Sequence, residues 1–180
     1  MKLYRIILVD DEEEVRKSII RKIKWEENGF LVAGDAENGE DALEKIELLE
    51  PDLILTDIRM PYMDGLTLAE RVRQKYPSMK IVIFSGYDDF EYAKQAIKLN
   101  VTEYILKPVN VEELTAILQK IKANLDQEIE QKRNVNLLRE NYIKSLPILR
   151  EQFLNELVNA PIAYETVQTR LKEYGISLSG

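Results

Sequence analysis

The chain has 180 residues, 45% hydrophobic and 32% charged, which is enough apolar material for one globular domain and a smaller addition. It contains no cysteine and no histidine, which excludes disulfides, thiolate zinc sites and thiol or histidine catalysis, and leaves only oxygen ligands for a metal ion. A net charge of -7 argues against nonspecific nucleic-acid binding, and no run approaches the roughly 20 apolar residues of a membrane span, so we expect a cytoplasmic protein without membrane contact.

Short β-rich apolar runs alternate with amphipathic helical patterns in the first part of the chain. The runs lie at residues 5–9, 30–33, 53–56, 81–84 and 104–106. Between them, apolar side chains recur every three or four positions, beginning with Val15, Ile19 and Ile23. Nearly continuous apolar strands separated by such helices predict a parallel sheet covered on both faces. We therefore predict an α/β fold, a flavodoxin-like, doubly wound sheet of five parallel strands, (βα)5.

Glycine and proline residues mark the expected ends of these elements. They are Gly29, Gly34, Gly39, Pro51, Gly65, Pro77, Gly86 and Pro108. Asp41 and Asp64 stand near predicted helix starts, where their carboxylates can cap free backbone amides.

A long, highly charged stretch without glycine begins at Val111. It carries apolar residues at mixed three- and four-residue spacing, which are Leu114, Leu118, Ile121, Leu125 and Ile129. This spacing predicts a helical linker with the narrow apolar stripe of a coiled coil, which either packs back on its own domain or pairs with a second chain. We expect Pro147 to kink or divide the helix, Pro161 to close it, and a short helix from Tyr164 to Tyr174 to follow, ending at Gly175.

Several polar side chains lie just past the apolar runs. Asp10 and Asp11 follow the first run, Asp57 the third, Ser85 the fourth and Lys107 the fifth. Ligands of open parallel sheets bind at the carboxyl ends of the strands, where these side chains should converge. Three carboxylates repel one another strongly unless a cation lies among them. A hard cation with oxygen ligands, such as Mg²⁺, suits this set.

A pocket of this kind suits phosphoryl transfer. A metal ion offsets the charge of the phosphoryl oxygens, while Lys107 pairs with one oxygen and the Ser85 hydroxyl donates to another. A carboxylate must then be the nucleophile. Asp57 is the best candidate because it ends the central strand alone, whereas Asp10 and Asp11 can share the metal ion.

These residues resemble the signature of the receiver domain of bacterial two-component response regulators. The matching positions are Asp10, Asp11, Asp57, Met60, Pro61, Asp64, Gly65, Ser85, Gly86, Tyr104, Lys107 and Pro108. The resemblance implies a receiver domain over residues 1–122, and the pattern of the remaining sequence predicts a helical linker over 112–160 and the start of a further region, cut short, over 161–180. The resemblance further implies a signalling domain that catalyses only its own phosphorylation and dephosphorylation.

The resemblance also implies roles for individual residues. Asp57 is the expected phosphoacceptor, and Mg²⁺ is expected on Asp11, Asp57 and the backbone carbonyl of Arg59, with Asp10 helping through water. Ser85 is the expected switch hydroxyl, which turns toward the phosphoryl group, and Tyr104 is the aromatic residue that follows it inward. Lys107 is expected to contact the phosphoryl oxygens, and its peptide bond to Pro108 is expected to be cis.

Residues 84–93 resemble, more particularly, the regulators that carry a C-terminal AraC-type DNA-binding domain. That resemblance implies a sensor histidine kinase as phosphodonor, and DNA binding only through a domain absent from these residues. The apolar stripe of the linker helix favours a homodimer formed through that helix and the face beside Tyr104. Asn100 stands where such sequences often have glycine, a change that a left-handed helix end tolerates.

Three other functions compete with this interpretation. A receiver that signals only through protein partners stays open, because these residues contain no helix-turn-helix with a basic face. A dehalogenase-type phosphatase needs a second Asp two positions after the nucleophile, where Arg59 stands. A flavodoxin-type module binds phosphate in the loop after the first strand, but here the acidic residues 10–13 would repel it.

Overall fold

Five strands alternate with helices along the chain, as the sequence pattern predicts. The computed structural model describes residues 3–86, 90–159 and 162–176. The strands are β1 (Tyr4–Val9), β2 (Phe30–Ala36), β3 (Leu53–Asp57), β4 (Lys80–Ser85) and β5 (Glu103–Leu106). The helices are α1 (Glu13–Lys22), α2 (Gly39–Leu49), α3 (Gly65–Lys75), α4 (Phe90–Lys98), α5 (Val111–Asn159) and α6 (Tyr164–Glu173).

The strands form one parallel sheet in the order β2-β1-β3-β4-β5. The chain moves from β1 outward to β2 and then crosses back to β3 on the other side of β1. The strand order therefore reverses between β1 and β3, which is where ligands bind in sheets of this kind. The predicted doubly wound fold is confirmed.

Alternate side chains of each strand face two separate hydrophobic clusters. In β1, Ile6 and Leu8 join the cluster that contains buried residues of α1 and α5, whereas Ile7 and Val9 join the cluster that contains buried residues of α2, α3 and α4. Both faces of the sheet are thus covered by helices, which explains why the strands read as nearly continuous apolar runs.

Gly34 does not end a strand, contrary to the prediction. It lies inside β2, where the register with β1 shifts: Ile6 pairs with Val32 and Ile7 with Gly34. Ala33 is therefore an extra residue in β2, which makes a β-bulge.

Two other local predictions are confirmed. Asn100 has a left-handed φ of 53°, and the Asp64 carboxylate accepts a hydrogen bond from the backbone N–H of Thr67 at the start of α3. At the start of α2 the capping side chain is Asn38 instead of Asp41, whose carboxylate accepts a hydrogen bond from the N–H of Glu37.

Helix α5 runs without interruption through Pro147, so this proline does not divide the helix, and the alternative that it kinks the helix stays a prediction. The chain separates into two compact units after Leu125. The first part of the predicted stripe belongs to the core of the first unit, because Leu114, Leu118, Ile121 and Leu125 are buried there. The predicted domain boundaries stay a prediction.

The second unit contains the rest of α5 together with α6. Phe153 and Leu171 are buried in it, and the rings of Phe153 and Tyr174 meet edge to face with centroids 5.7 Å apart. Gly175 adopts a left-handed φ of 59° where α6 ends, as predicted. Pro161 and the centre of the motif at residues 84–93 lie outside the described residues. None of the described helices has an apolar stretch of the length that a bilayer requires.

Candidate functional site

Side chains from the ends of three strands meet at the carboxyl edge of the sheet. Asp57 is the last residue of β3, Asp10 directly follows β1 and Lys107 directly follows β5. The Lys107 Nζ lies 2.8 Å from Asp57 Oδ1 and 3.0 Å from Asp10 Oδ2. One ammonium group therefore pairs with two carboxylates, and the structure brings together three of the predicted site residues.

Backbone groups hold both carboxylates in place. Asp10 is 1% exposed, and its Oδ1 accepts a hydrogen bond of 2.9 Å from the N–H of Glu12. The N–H of Asp10 donates to the carbonyl of Ala36 in the neighbouring strand β2. Asp57 is 7% exposed, and its Oδ2 accepts a hydrogen bond of 3.1 Å from the N–H of Arg59. These bonds fix the direction in which each carboxylate points.

The main chain of Asp57 is closely packed as well. The Thr56 hydroxyl donates a hydrogen bond of 2.8 Å to the carbonyl oxygen of Asp57. Gly65 packs against the same carbonyl, because a Cβ added at Gly65 would lie 2.0 Å from that oxygen. The Gly65 N–H donates to the carbonyl of Ile58, which closes the loop between β3 and α3. Only glycine fits at this position without moving Asp57.

Burial and the neighbouring charges shift the pKa values of Asp57 and Lys107 in opposite directions. Burial raises the pKa of Asp57, and the hydrogen bond and charge of Lys107 offset part of that rise. Burial lowers the pKa of Lys107, but its hydrogen bonds with Asp57 and Asp10 outweigh burial, so the pKa is raised overall. Lys107 therefore stays positively charged beside the two carboxylates at neutral pH.

The chemistry of the donors at this edge fits a magnesium ion. Asp10, Asp11 and Asp57 offer carboxylate oxygens, and Arg59 offers a backbone carbonyl, all of them hard ligands. Asp11 is exposed, while Asp10 and Asp57 share the Lys107 ammonium. Within the described ranges, no group of three acidic side chains is arranged so that it could hold a metal ion. Binding of the ion would therefore require these groups to move closer together.

Ser85 and Tyr104 lie on the neighbouring strands β4 and β5. Ser85 ends β4 and is 1% exposed, and its Oγ lies within 3.2 Å of the carbonyl of Gly86. Its own carbonyl accepts a hydrogen bond of 2.6 Å from the N–H of Lys107. The peptide bond between Lys107 and Pro108 is cis. Tyr104 is partly buried and packs against the cluster formed with α2, α3 and α4.

Sequence reasoning missed Arg16, a buried cation beside the site. Its Nη1 donates a hydrogen bond of 2.5 Å to the backbone carbonyl of Asp10, and its Nε pairs with Asp35 Oδ2 at 2.8 Å. One signal in the sequence could have found it. Arg16 stands three positions before Ile19, on the side of α1 that is otherwise apolar, and a charge on such a face needs buried partners.

Known proteins resemble this chain in sequence and in structure. Residues 6–119 match the family described as the response regulator receiver domain. The uncharacterized transcriptional regulatory protein YesN of Bacillus subtilis is 37% identical over 158 residues, which make up 87% of this chain and 42% of YesN. The chain thus spans less than half the length of that relative.

Two solved structures share the fold at higher coverage of their own chains. One is the REC domain of AraT, a response regulator from Geobacillus stearothermophilus, with 39% identity and a TM-score of 0.67 over 70% of this chain and 98% of that one. The other is a two component transcriptional regulator AraC from Clostridium phytofermentans, with 35% identity and a TM-score of 0.64 over 69% of this chain and 98% of that one.

Proposed function

Because this chain belongs to the response regulator receiver domain family of two-component systems, we propose that Asp57 is its phosphoacceptor. The observation that carries the proposal is the Lys107 ammonium, 2.8 Å from Asp57 Oδ1 at the carboxyl edge. A buried carboxylate beside a fixed cation is placed to accept a phosphoryl group whose negative charge that cation then stabilises. Asp10 also pairs with Lys107, but it is only 1% exposed, compared with 7% for Asp57, and is therefore less accessible to a phosphodonor.

The transfer forms one bond and breaks another. A carboxylate oxygen of Asp57 attacks the phosphorus of the donor, the bond from phosphorus to the donor atom breaks, and an acyl phosphate remains on Asp57. Lys107 pairs with a phosphoryl oxygen, and the Ser85 hydroxyl donates a hydrogen bond to another. Mg²⁺, held by Asp11, Asp57 and the carbonyl of Arg59 with Asp10 acting through water, would neutralise charge on the phosphoryl oxygens when bound.

The phosphodonor is another protein or a small molecule. Receiver domains of response regulators interact with sensor histidine kinases, and this chain contains no histidine that could carry the phosphoryl group itself. We expect a sensor histidine kinase to supply it, and we expect this chain to lie in the cytoplasm. The domain is a signalling module whose only catalysis is its own phosphorylation and dephosphorylation.

The signal passes from the site to the output surface through a rearrangement of side chains on β4 and β5. When Ser85 moves toward the phosphoryl group, it vacates space beside β4 that the partly buried ring of Tyr104 then fills. This changes the face beside Tyr104, which is one proposed contact of a homodimer, and the linker helix α5 is the other. Exposed apolar residues on the second half of α5 support this pairing; they are Val135, Leu138 and Tyr142. DNA binding belongs to a C-terminal domain outside these residues, as the names of the transcriptional regulatory relatives suggest.

Intact mass after incubation with acetyl phosphate and Mg²⁺ tests the proposal. Wild-type protein should gain the mass of one phosphoryl group, and neither the Asp57→Asn variant nor wild type with excess chelator should gain it. A protein that gains no mass with Mg²⁺ present would be a phosphorylation-independent interaction module. A gain by Asp57→Asn equal to that of wild type would move the acceptor to another residue.

A further inference from the structure

Arg16 connects the acidic loop after β1 to the neighbouring strand β2. Its side chain lies on α1 and is 10% exposed, although it carries a full charge. The Nη1 group donates a hydrogen bond of 2.5 Å to the backbone carbonyl of Asp10, and the Nε group pairs with Asp35 Oδ2 at 2.8 Å. A planar guanidinium that donates in two directions holds both partners in a fixed relative geometry.

The backbone carbonyl that Arg16 contacts, that of Asp10, directly precedes Asp11 in the chain. It belongs to the peptide group that joins Asp10 to Asp11, and the orientation of that planar group sets the direction in which the Asp11 side chain leaves the backbone. The other polar groups of Asp10 already have partners, namely the carbonyl of Ala36, the N–H of Glu12 and the ammonium of Lys107. Arg16 completes this set.

The second partner of Arg16 is itself anchored. The backbone carbonyl of Asp35 accepts a hydrogen bond of 2.6 Å from Lys45 Nζ, and Lys45 also pairs with Asp41 at 2.8 Å within α2. The Asp35 carboxylate is 48% exposed, so water screens its charge, but its backbone is fixed by the sheet. Arg16 therefore connects the Asp10–Asp11 peptide group to a rigid part of the fold.

We propose that Arg16 is a positioning residue for Mg²⁺ binding, which acts by orienting the peptide group between Asp10 and Asp11. The proposal rests on the proposed function, because it takes Asp11 as a ligand of the ion. A fixed peptide plane limits the directions that the Asp11 side chain can take, which reduces the entropy lost when that side chain binds the ion. Loss of a group that orients a metal ligand without touching the metal commonly lowers the affinity for the metal about 10- to 100-fold.

Geometry and charge predict opposite effects for the removal of Arg16. If the guanidinium acted only through its charge, its loss would strengthen Mg²⁺ binding, because a nearby cation repels the ion. If it acts by orienting the peptide group, its loss weakens binding. The sign of the change therefore separates the two accounts.

Calorimetric titration of the unphosphorylated full chain with MgCl₂ provides the test. We expect Arg16→Met to bind Mg²⁺ about tenfold more weakly than wild type. Arg21→Met is the matched control, because Arg21 lies on the same helix, is exposed, and among the described residues donates to the carbonyl of Lys17 alone. It removes the same charge without touching Asp10 and should leave the affinity within about twofold of wild type. Arg16→Lys keeps the charge but replaces the two nitrogens of the planar guanidinium, which contact Asp35 and the Asp10 carbonyl separately, with a single nitrogen on a flexible chain, so it should also bind Mg²⁺ more weakly than wild type.

Hydrogen exchange of the Glu12 amide gives a readout that does not depend on the metal ion. That amide donates to Asp10 Oδ1, so it should exchange faster in Arg16→Met than in Arg21→Met when both are folded in metal-free buffer. If Arg16→Met fails to fold, Arg16→Lys serves for both measurements. Equal or tighter Mg²⁺ binding by Arg16→Met, or wild-type affinity in Arg16→Lys, would overturn the inference. Absence of Mg²⁺ binding by wild type would instead contradict the proposed function.

Discussion

The Lys107 ammonium lies 2.8 Å from Oδ1 of Asp57, although β4 separates the strands that carry the two residues. The same nitrogen lies 3.0 Å from Asp10 Oδ2, so one cation compensates two carboxylates that are almost fully buried. Without it, two like charges would face each other in a poorly solvated place. The stability of the domain should therefore depend on Lys107 more than on either acid alone.

Replacing Lys107 should destabilise the first unit. We expect Lys107→Met to lower the free energy of unfolding by about 2 kcal/mol in metal-free buffer, because it leaves two buried carboxylates without their partner. Asp57→Asn should cost less, since Lys107 then keeps Asp10. Urea unfolding followed by the fluorescence of Trp25, the only tryptophan and a buried one, measures both. Lys24→Met removes an exposed ion pair with Glu27 and should change little. A larger loss in Asp57→Asn than in Lys107→Met would contradict this account.

A methyl group at Gly65 should displace the phosphoacceptor. Its Cβ would lie 2.0 Å from the carbonyl oxygen of Asp57, and backbone cannot yield as a flexible side chain can. We expect Gly65→Ala to destabilise the protein by about 1 to 3 kcal/mol and to slow phosphorylation by acetyl phosphate. Gly34→Ala is the control, because its Cβ would meet only the end of the Leu49 side chain, at 2.9 Å. Equal phosphorylation rates in the two variants would refute the predicted role of Gly65.

Removal of the Ser85 hydroxyl should separate phosphorylation from output. Ser85→Ala keeps Asp57 and Lys107, so it should still gain a phosphoryl group, although the product loses one hydrogen-bond donor. Its oligomeric state should no longer respond to phosphorylation, because no hydroxyl remains at residue 85 to move toward the phosphoryl group. Ser78→Ala makes the same chemical change in an exposed turn at the opposite end of β4 and should behave as wild type. Mass spectrometry with sedimentation velocity reads both properties, and an unchanged response in Ser85→Ala would exclude this switch.

Much of the site could be predicted because it depends only on where strands end. Apolar runs mark the strand ends, and parallel strands place their carboxyl ends at one edge, so Asp10, Asp57 and Lys107 were expected to converge. Arg16 could not be predicted in the same way. Its two partners belong to β2 and to the loop after β1, and only the pairing of these strands brings Asp35 beside Asp10.

Two local rules failed because tertiary contacts outweighed them. Glycine usually marks an element end, but Gly34 lies at a bulge that depends on the register between two strands, which the sequence of one strand does not contain. Proline in a helix costs about 3 kcal/mol, yet α5 continues through Pro147. Tyr142 and Phe153, on either side of that proline, both contact the end of α6, and these contacts help hold the helix together.

The exposed apolar residues of α5 should form the dimer contact. Val135, Leu138 and Tyr142 are 63%, 68% and 47% exposed and lie three or four positions apart. Leu138→Glu should weaken the dimer of the phosphorylated or beryllofluoride-treated protein at least about tenfold. Asn141→Glu adds the same charge nearby and should matter less, since Asn141 lies off the Val135–Leu138–Tyr142 stripe. Sedimentation velocity measures the association, and identical dimer affinity with and without beryllofluoride would contradict the coupling.

The central claim is that the phosphoryl group resides on Asp57. An acyl phosphate is reduced by borohydride to an alcohol, which leaves a stable mark on the modified aspartate. Protein treated with acetyl phosphate and Mg²⁺, reduced and digested, should carry this mark in the peptide that contains Asp57 and at that residue only. A mark on Asp10 or Asp11, or none in protein whose intact mass has risen by one phosphoryl group, would contradict the account.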